Sequence, residues 1–73
     1  RIGMQKGFPD LLFPYPRKNA HGLYIEMKRK GEKPTVEQIA WLKKLKERNY
    51  KAFICFGFDE AKMVIDWYFE VEK

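Results

Sequence analysis

Two carboxylates and a lysine in the first half of the chain have the types and spacing needed for metal-assisted hydrolysis. Glu26 and Lys28 are separated by one residue within LYIEMKR, residues 23–29, which is typical of a strand. Side chains alternate along a strand, so both would project from one face, about 6–7 Å apart. Asp10 begins the preceding apolar run, and a suitable hairpin register would bring it to the same place.

This predicted cluster suits a hard divalent cation, which prefers oxygen ligands and needs only one or two carboxylates. Asp10 and Glu26, with the backbone carbonyl of Met27, would hold Mg²⁺ or Mn²⁺. Such an ion makes its bound water a better nucleophile and stabilises charge on a phosphoryl group. The Lys28 ammonium would orient that water or stabilise developing negative charge. The alternative is a Glu–Lys pair on a half-exposed strand, with no chemical role.

The strands that must position these residues follow a first segment, residues 1–9, whose glycines and proline predict a loop. Residues 10–13 and 23–29 predict a hairpin with a long connection. Residues 51–56, KAFICF, form a nearly continuous apolar run, which predicts a central strand covered on both faces. A helix between the second and third strands predicts that these two pair in parallel.

The predicted helices complete the order β-β-α-β-α. Thr35 and Gln38 have the spacing of a capping box, which starts a helix reaching about Arg48, and Asn49 suits its left-handed end. Asp59 could cap a last helix with one apolar face: Ala61, Val64, Ile65 and Tyr68. The predicted fold class is α/β, a small mixed sheet flanked by helices.

Gln38 has two interpretations that can coexist. As part of the capping box, its side chain would be satisfied locally. It also shares a helical face with Trp41, Leu42 and Leu45, which would direct it toward the sheet. A polar side chain on such a buried stripe needs a hydrogen-bond partner.

The positive charge is confined to the half of the chain that carries the predicted cluster. The net charge is +5. Residues 1–34 hold eight basic and three acidic side chains, whereas residues 35–73 hold seven of each. This distribution suggests a polyanionic partner. Arg17, Lys18, Lys30 and Lys33 occupy two loops expected to flank the cluster, where they could contact phosphates or simply be solvated.

Length and cysteine content exclude several classes of protein. Seventy-three residues make one domain, 1–73, and no apolar run has the roughly 18 residues of a membrane span. The single cysteine, Cys55, cannot form an internal disulfide, which favours a reducing, intracellular setting. A domain this small, without disulfides or a zinc cluster, should need a partner subunit or further chain. Because the first residue is Arg1 rather than Met, we expect a fragment of a longer protein.

Four segments together resemble the VRR-NUC family, a branch of the PD-(D/E)xK nucleases with the restriction-endonuclease-like core. They are GFPDL at 7–11, GLYIEMK at 22–28, EQIAWL at 37–42 and the Asn49–Tyr50 pair before the third strand. The resemblance covers nearly the whole chain, and the motifs are specific in this order and spacing. It implies that Asp10 and Glu26 are metal ligands, Lys28 the catalytic lysine and Gln38 an accessory active-site residue.

The resemblance further implies a Mg²⁺- or Mn²⁺-dependent DNA endonuclease that acts as a homodimer on branched DNA, including four-way junctions. Family members usually begin with a helix that carries an acidic residue near the metal site, and we expect residues 1–73 to lack this N-terminal helix. A non-catalytic DNA-binding module with the same fold is the main alternative, although it would not need a lysine beside a metal site. A protein-interaction domain is a third possibility. We expect no membrane association and no small-molecule cofactor.

Overall fold

The computed structural model describes residues 7–70 and contains five elements in the order β-β-α-β-α. The strands are β1 (Leu11–Phe13), β2 (Leu23–Lys28) and β3 (Lys51–Phe56). The helices are α1 (Val36–Glu47) and α2 (Phe58–Phe69). This order confirms the predicted α/β class. Of the predicted N-terminal loop, residues 7–9 form neither helix nor strand, and residues 1–6 lie outside the described part.

The sheet is mixed, with the strand order β1-β2-β3. β1 pairs antiparallel with β2, and β2 pairs in parallel with β3, as predicted from the hairpin and the helical connection. The prediction that β3 is central is wrong for residues 7–70, because β2 takes that position. The apolar run of β3 instead reflects packing on both of its faces, by α1 and α2. An apolar sequence indicates that both faces of a strand are covered, and it does not distinguish a central strand from an edge strand.

Alternation along β2 divides the core into two layers. Leu23 and Ile25 face α2, where they pack with Cys55, Ala61 and Tyr68. The intervening residues face α1, in a cluster that contains Tyr24, Leu42, Leu45 and Ala52. Since Glu26 continues this second set, its carboxylate is directed to the α1 side. No helix within residues 7–70 has the length and apolar content required to span a bilayer.

The two helices begin in different ways. Thr35 is the N-cap of α1 and forms the complete predicted capping box with Gln38, and Asn49 follows the helix with φ 67°. α2 has Gly57 as its N-cap, without a side-chain hydrogen bond. The prediction that Asp59 caps this helix is therefore wrong. Asp59 lies inside the first turn, where a carboxylate still interacts favourably with the helix dipole.

Candidate metal and nucleic-acid site

Asp10 is held where the β1–β2 ladder stops. Leu11 pairs with Ile25, so the same register continued would place Asp10 opposite Glu26 and Pro9 opposite Met27. The Met27 N–H donates to Asp10 Oδ2 at 2.9 Å instead of to another strand residue. Pro9 has no N–H to donate to the Met27 carbonyl. Met27 therefore has its N–H on the Asp10 carboxylate, and the residue opposite its carbonyl in the continued register offers no N–H.

Glu26 is the buried member of the pair, with 4% of its surface exposed. Its Oε2 accepts a hydrogen bond from Gln38 Nε2 at 2.9 Å. Gln38 also retains its capping role, since its Oε1 accepts from the Thr35 N–H at 2.9 Å and its own N–H donates to Thr35 Oγ1 at 3.1 Å. Both interpretations of Gln38 are therefore confirmed. The side chain connects the start of α1 to the carboxylate on β2.

The charged neighbours of Glu26, together with its burial, shift its pKa. Burial, followed by the negative charge of Asp10, raises the pKa of Glu26 from 4.5 to about 7. The Lys28 ammonium acts in the opposite direction, and a hydrogen bond with Asp10 raises the pKa further. Asp10, Glu26 and Lys28 thus lie in one electrostatic cluster. Its two carboxylates repel each other, and bound cationic charge would relieve that repulsion.

The donor set of this cluster fits Mg²⁺ or Mn²⁺. Within residues 7–70 no group of three or more His, Cys, Asp or Glu side chains is placed to hold a metal. The two carboxylates and the Met27 carbonyl are all oxygen donors, which suit hard cations rather than zinc. Because Mg²⁺ usually keeps several waters and also takes substrate phosphate oxygens, one or two carboxylates are sufficient.

Lys30 and Lys33 are exposed in the connection between β2 and α1, immediately after Lys28. A tight turn shapes this basic loop, residues 29–34. The Glu32 N–H donates to the Arg29 carbonyl at 3.0 Å, and the Arg29 N–H donates to Glu32 Oε1 at 2.6 Å. Lys30 and Lys33 are therefore available beside the carboxylate cluster, and their contact with DNA remains a prediction.

Arg17 and Lys18 lie elsewhere. Their loop follows Phe13, which pairs with Leu23 at the opposite end of β2 from Lys28. Arg17 donates to the Tyr68 carbonyl at 2.9 Å and to the Glu70 carbonyl at 2.6 Å, and Lys18 pairs with Glu70 at 2.9 Å.

The expectation that this loop flanks the cluster is therefore wrong, because the antiparallel hairpin turns it to the far end of the sheet. There Arg17 satisfies the Tyr68 and Glu70 carbonyls at the end of α2, while Lys18 pairs with the Glu70 carboxylate. Both cations are in a favourable position relative to the helix dipole. Contact of Arg17 and Lys18 with DNA remains a prediction.

Phe8 received no role from the sequence, yet it anchors the segment that carries Asp10. Its ring makes edge contacts with Tyr24 at 5.7 Å and with Trp41 at 5.1 Å between centroids. These contacts join the segment to β2 and α1. An aromatic residue two positions before a candidate ligand was the available signal, although its partners could not be identified before the fold was known.

Comparison with known proteins is consistent with this geometry. The family model described as VRR-NUC domain matches residues 2–59. A solved structure described as a VRR_NUC domain protein superimposes with a TM-score of 0.90 and 31% sequence identity. The alignment covers 100% of this chain and 61% of that one, so the chain spans less than two thirds of its structural relative. No curated protein matches the sequence.

Proposed function

Because the chain belongs to the VRR-NUC family, whose domain has a nuclease fold and acts on DNA, we propose that it is a divalent-metal-dependent DNA endonuclease. The observation that carries the proposal is the cluster of Asp10, Glu26 and Lys28, in which Gln38 holds the buried carboxylate. A surface Glu–Lys pair would not require a buried acid with a dedicated amide donor.

The residues of the cluster have separate roles in the proposed hydrolysis. Asp10, Glu26 and the Met27 carbonyl would hold Mg²⁺ or Mn²⁺, which supplies an activated water and stabilises charge on the phosphoryl group. Gln38 orients the Glu26 carboxylate by donating to Oε2. The Lys28 ammonium would position the attacking water and stabilise the negative charge that develops during attack.

The proposed substrate is branched DNA, such as a four-way junction, and the basic loop supports contact with its backbone. Lys30 and Lys33 are exposed directly after the strand that carries Glu26 and Lys28. Lysines placed in this way would contact phosphates, which position a nucleic acid without reading its sequence. The four-way junction itself rests on the family resemblance.

We test this function by cleavage of a labelled four-way junction and a linear duplex of matched sequence, each with Mg²⁺, Mn²⁺ or EDTA. Asp10→Asn and Lys28→Met should abolish cutting by the folded protein. Lys62→Ala is the control, because Lys62 is exposed on α2 and pairs with Asp66. Cutting that survives both site substitutions would refute the assignment. Salt-sensitive junction binding without cutting would favour the non-catalytic DNA-binding module.

The homodimer implied by the resemblance is also a proposal, and the outer side of β3 is the surface that supports it. A groove of about 320 Å³, where α2 packs on β3, is lined by Phe53 of β3 and by Met63, Val64 and Trp67 of α2. In an antiparallel pairing of two β3 strands, Lys51 at the start of one strand would approach the partner's Glu60, an α2 residue whose Oε1 accepts the Phe56 N–H at the end of β3. Apolar contact would thus be combined with opposite charges.

The molar mass from light scattering tests this interface in wild type and Trp67→Glu. Wild type should have twice the mass of a single chain, and the variant should dissociate. A monomeric wild type, or a variant that remains dimeric, would refute the interface without affecting the site assignment.

A further inference from the structure

We propose that Gly7 and Thr35 are positioning residues, which set the spacing of the two carboxylates through the first turn of α1. This inference rests on the proposed function, because it concerns the same cluster. Asp10 and Glu26 lie on different segments, and the β1 ladder begins only at Leu11. The Met27 N–H holds one Asp10 oxygen, and the backbone that precedes Leu11, outside the strand ladder, is supported from α1. Adjacent residues of α1, Glu37 and Gln38, connect this backbone with Glu26.

The first contact joins α1 to the segment that carries Asp10. Gly7 has φ +83° and packs directly on the helix backbone. A Cβ at this position would lie 2.6 Å from the carbonyl carbon of Glu37 and 2.8 Å from its oxygen. Side chains essentially never approach backbone so closely, so any larger residue must separate the segment from the helix. Because Asp10 follows three residues later, that separation would displace its carboxylate.

The second contact joins α1 to Glu26. Gln38 can donate to Glu26 only through its Nε2, and the orientation of its amide must therefore be defined. Thr35 defines it, because the Thr35 N–H occupies Gln38 Oε1 while Thr35 Oγ1 accepts the Gln38 N–H. With Oε1 engaged at the cap, Nε2 is directed to the carboxylate. Loss of the hydroxyl would release the first turn and with it the amide.

Two matched controls separate positioning from general destabilisation. Gly31 has φ +91°, and a Cβ there would meet nothing within 4 Å, so Gly31→Ala introduces the backbone strain of Gly7→Ala without its clash. Ala40 is exposed inside α1, so Ala40→Gly weakens the helix by about as much as the loss of a cap, without altering the capping box. Thr35→Ser keeps the hydroxyl and should therefore retain the Mn²⁺ affinity that Thr35→Val loses.

The first measurement is Mn²⁺ affinity by calorimetry, after circular dichroism has established that each variant is folded. Gly7→Ala and Thr35→Val should each weaken binding about tenfold, as expected when the support of a metal ligand is removed. Gly31→Ala, Ala40→Gly and Thr35→Ser should remain within about twofold of wild type. Equal losses of affinity in Gly7→Ala and Gly31→Ala, or in Thr35→Val and Ala40→Gly, would overturn the proposal. Wild-type affinity in both Gly7→Ala and Thr35→Val would also overturn it.

The second measurement uses metal-free protein, so that it remains decisive if the proposed function fails. In ¹⁵N-resolved NMR, Thr35→Val should shift the Gln38 side-chain amide, and Gly7→Ala should shift the Met27 N–H that binds Asp10. Neither control should shift these signals. A wild type that binds no Mn²⁺ would refute the proposed function alone, whereas unchanged signals in Gly7→Ala and Thr35→Val would refute the positioning role.

Discussion

Replacing Glu26 by glutamine should stabilise the metal-free protein at pH 8 while abolishing metal binding. In the folded chain, burial and the charge of Asp10 raise the pKa of Glu26 from 4.5 to about 7. The difference of about 2.5 between these pKa values, at about 1.4 kcal/mol per pH unit, corresponds to roughly 3.5 kcal/mol of stability lost on ionisation. Glutamine keeps the size of the side chain and an oxygen that can accept from Gln38.

The stability that Glu26→Gln gains over wild type depends on pH in a defined direction. Because the folded state binds the Glu26 proton more tightly than the unfolded state, this residue lowers wild-type stability as pH rises from 4.5 to 7. Below 4.5 the carboxyl is protonated in both states and the loss vanishes. Above 7 it is ionised in both states and the loss is complete. The glutamine variant lacks this titration, so the difference in stability should grow between pH 4.5 and 7 and then remain constant.

The assay is urea unfolding in EDTA at pH 4.5, 6 and 8, for wild type, Glu26→Gln and Glu47→Gln. Glu47 is exposed at the end of α1, and its substitution should change stability little at any of these values. Adding Mg²⁺ at pH 8 should stabilise wild type and leave Glu26→Gln unchanged, because a bound ligand stabilises only the state that binds it. Equal stabilities at pH 8, or a difference independent of pH, would refute this account of Glu26.

Three further predictions concern the core, the end of α2 and the basic loop. Tyr68→Phe should cost about 1 kcal/mol in urea unfolding, since it removes the hydrogen bond from a fully buried hydroxyl to the Tyr15 carbonyl; an unchanged midpoint would contradict this role. Arg17→Met should lower the melting temperature, because it leaves carbonyls at the end of α2 without their donor, and a loss of DNA affinity alone would contradict that assignment. Lys30→Ala and Lys33→Ala should each weaken junction binding at unchanged stability. Each should also reduce, by about 1, the steepness with which the logarithm of the association constant falls with the logarithm of salt concentration; an unchanged steepness would exclude a phosphate contact.

The sequence predicted the features that depend on short-range periodicity and local hydrogen bonding. The alternation in residues 23–28 placed Glu26 and Lys28 on one face, and the structure has this strand with its two faces as expected. The spacing of Thr35 and Gln38 predicted a cap that is present in full. These features depend only on residues that are close in the sequence, so they can be predicted before the tertiary structure is known.

Tertiary structure decided which distant groups meet. Within residues 7–70 the edge position of β3 depends on strand order, and local hydrophobicity is the same for an edge strand covered by two helices as for a central one. The placement of Arg17 at the end of α2 depends on a contact across 51 positions. The raised pKa of Glu26 likewise arises from burial and from the approach of Asp10, neither of which exists before folding.

The composition of the candidate site was thus determined by sequence, through the residues Asp10, Glu26, Lys28 and Gln38 and the strand and helix that carry them. Its assembly was determined by packing. The approach of Gly7 to α1 and the hydrogen bond from Gln38 to Glu26 join segments whose separation in sequence sets no distance between them. Only the folded core holds them close enough for their charges to act on one another.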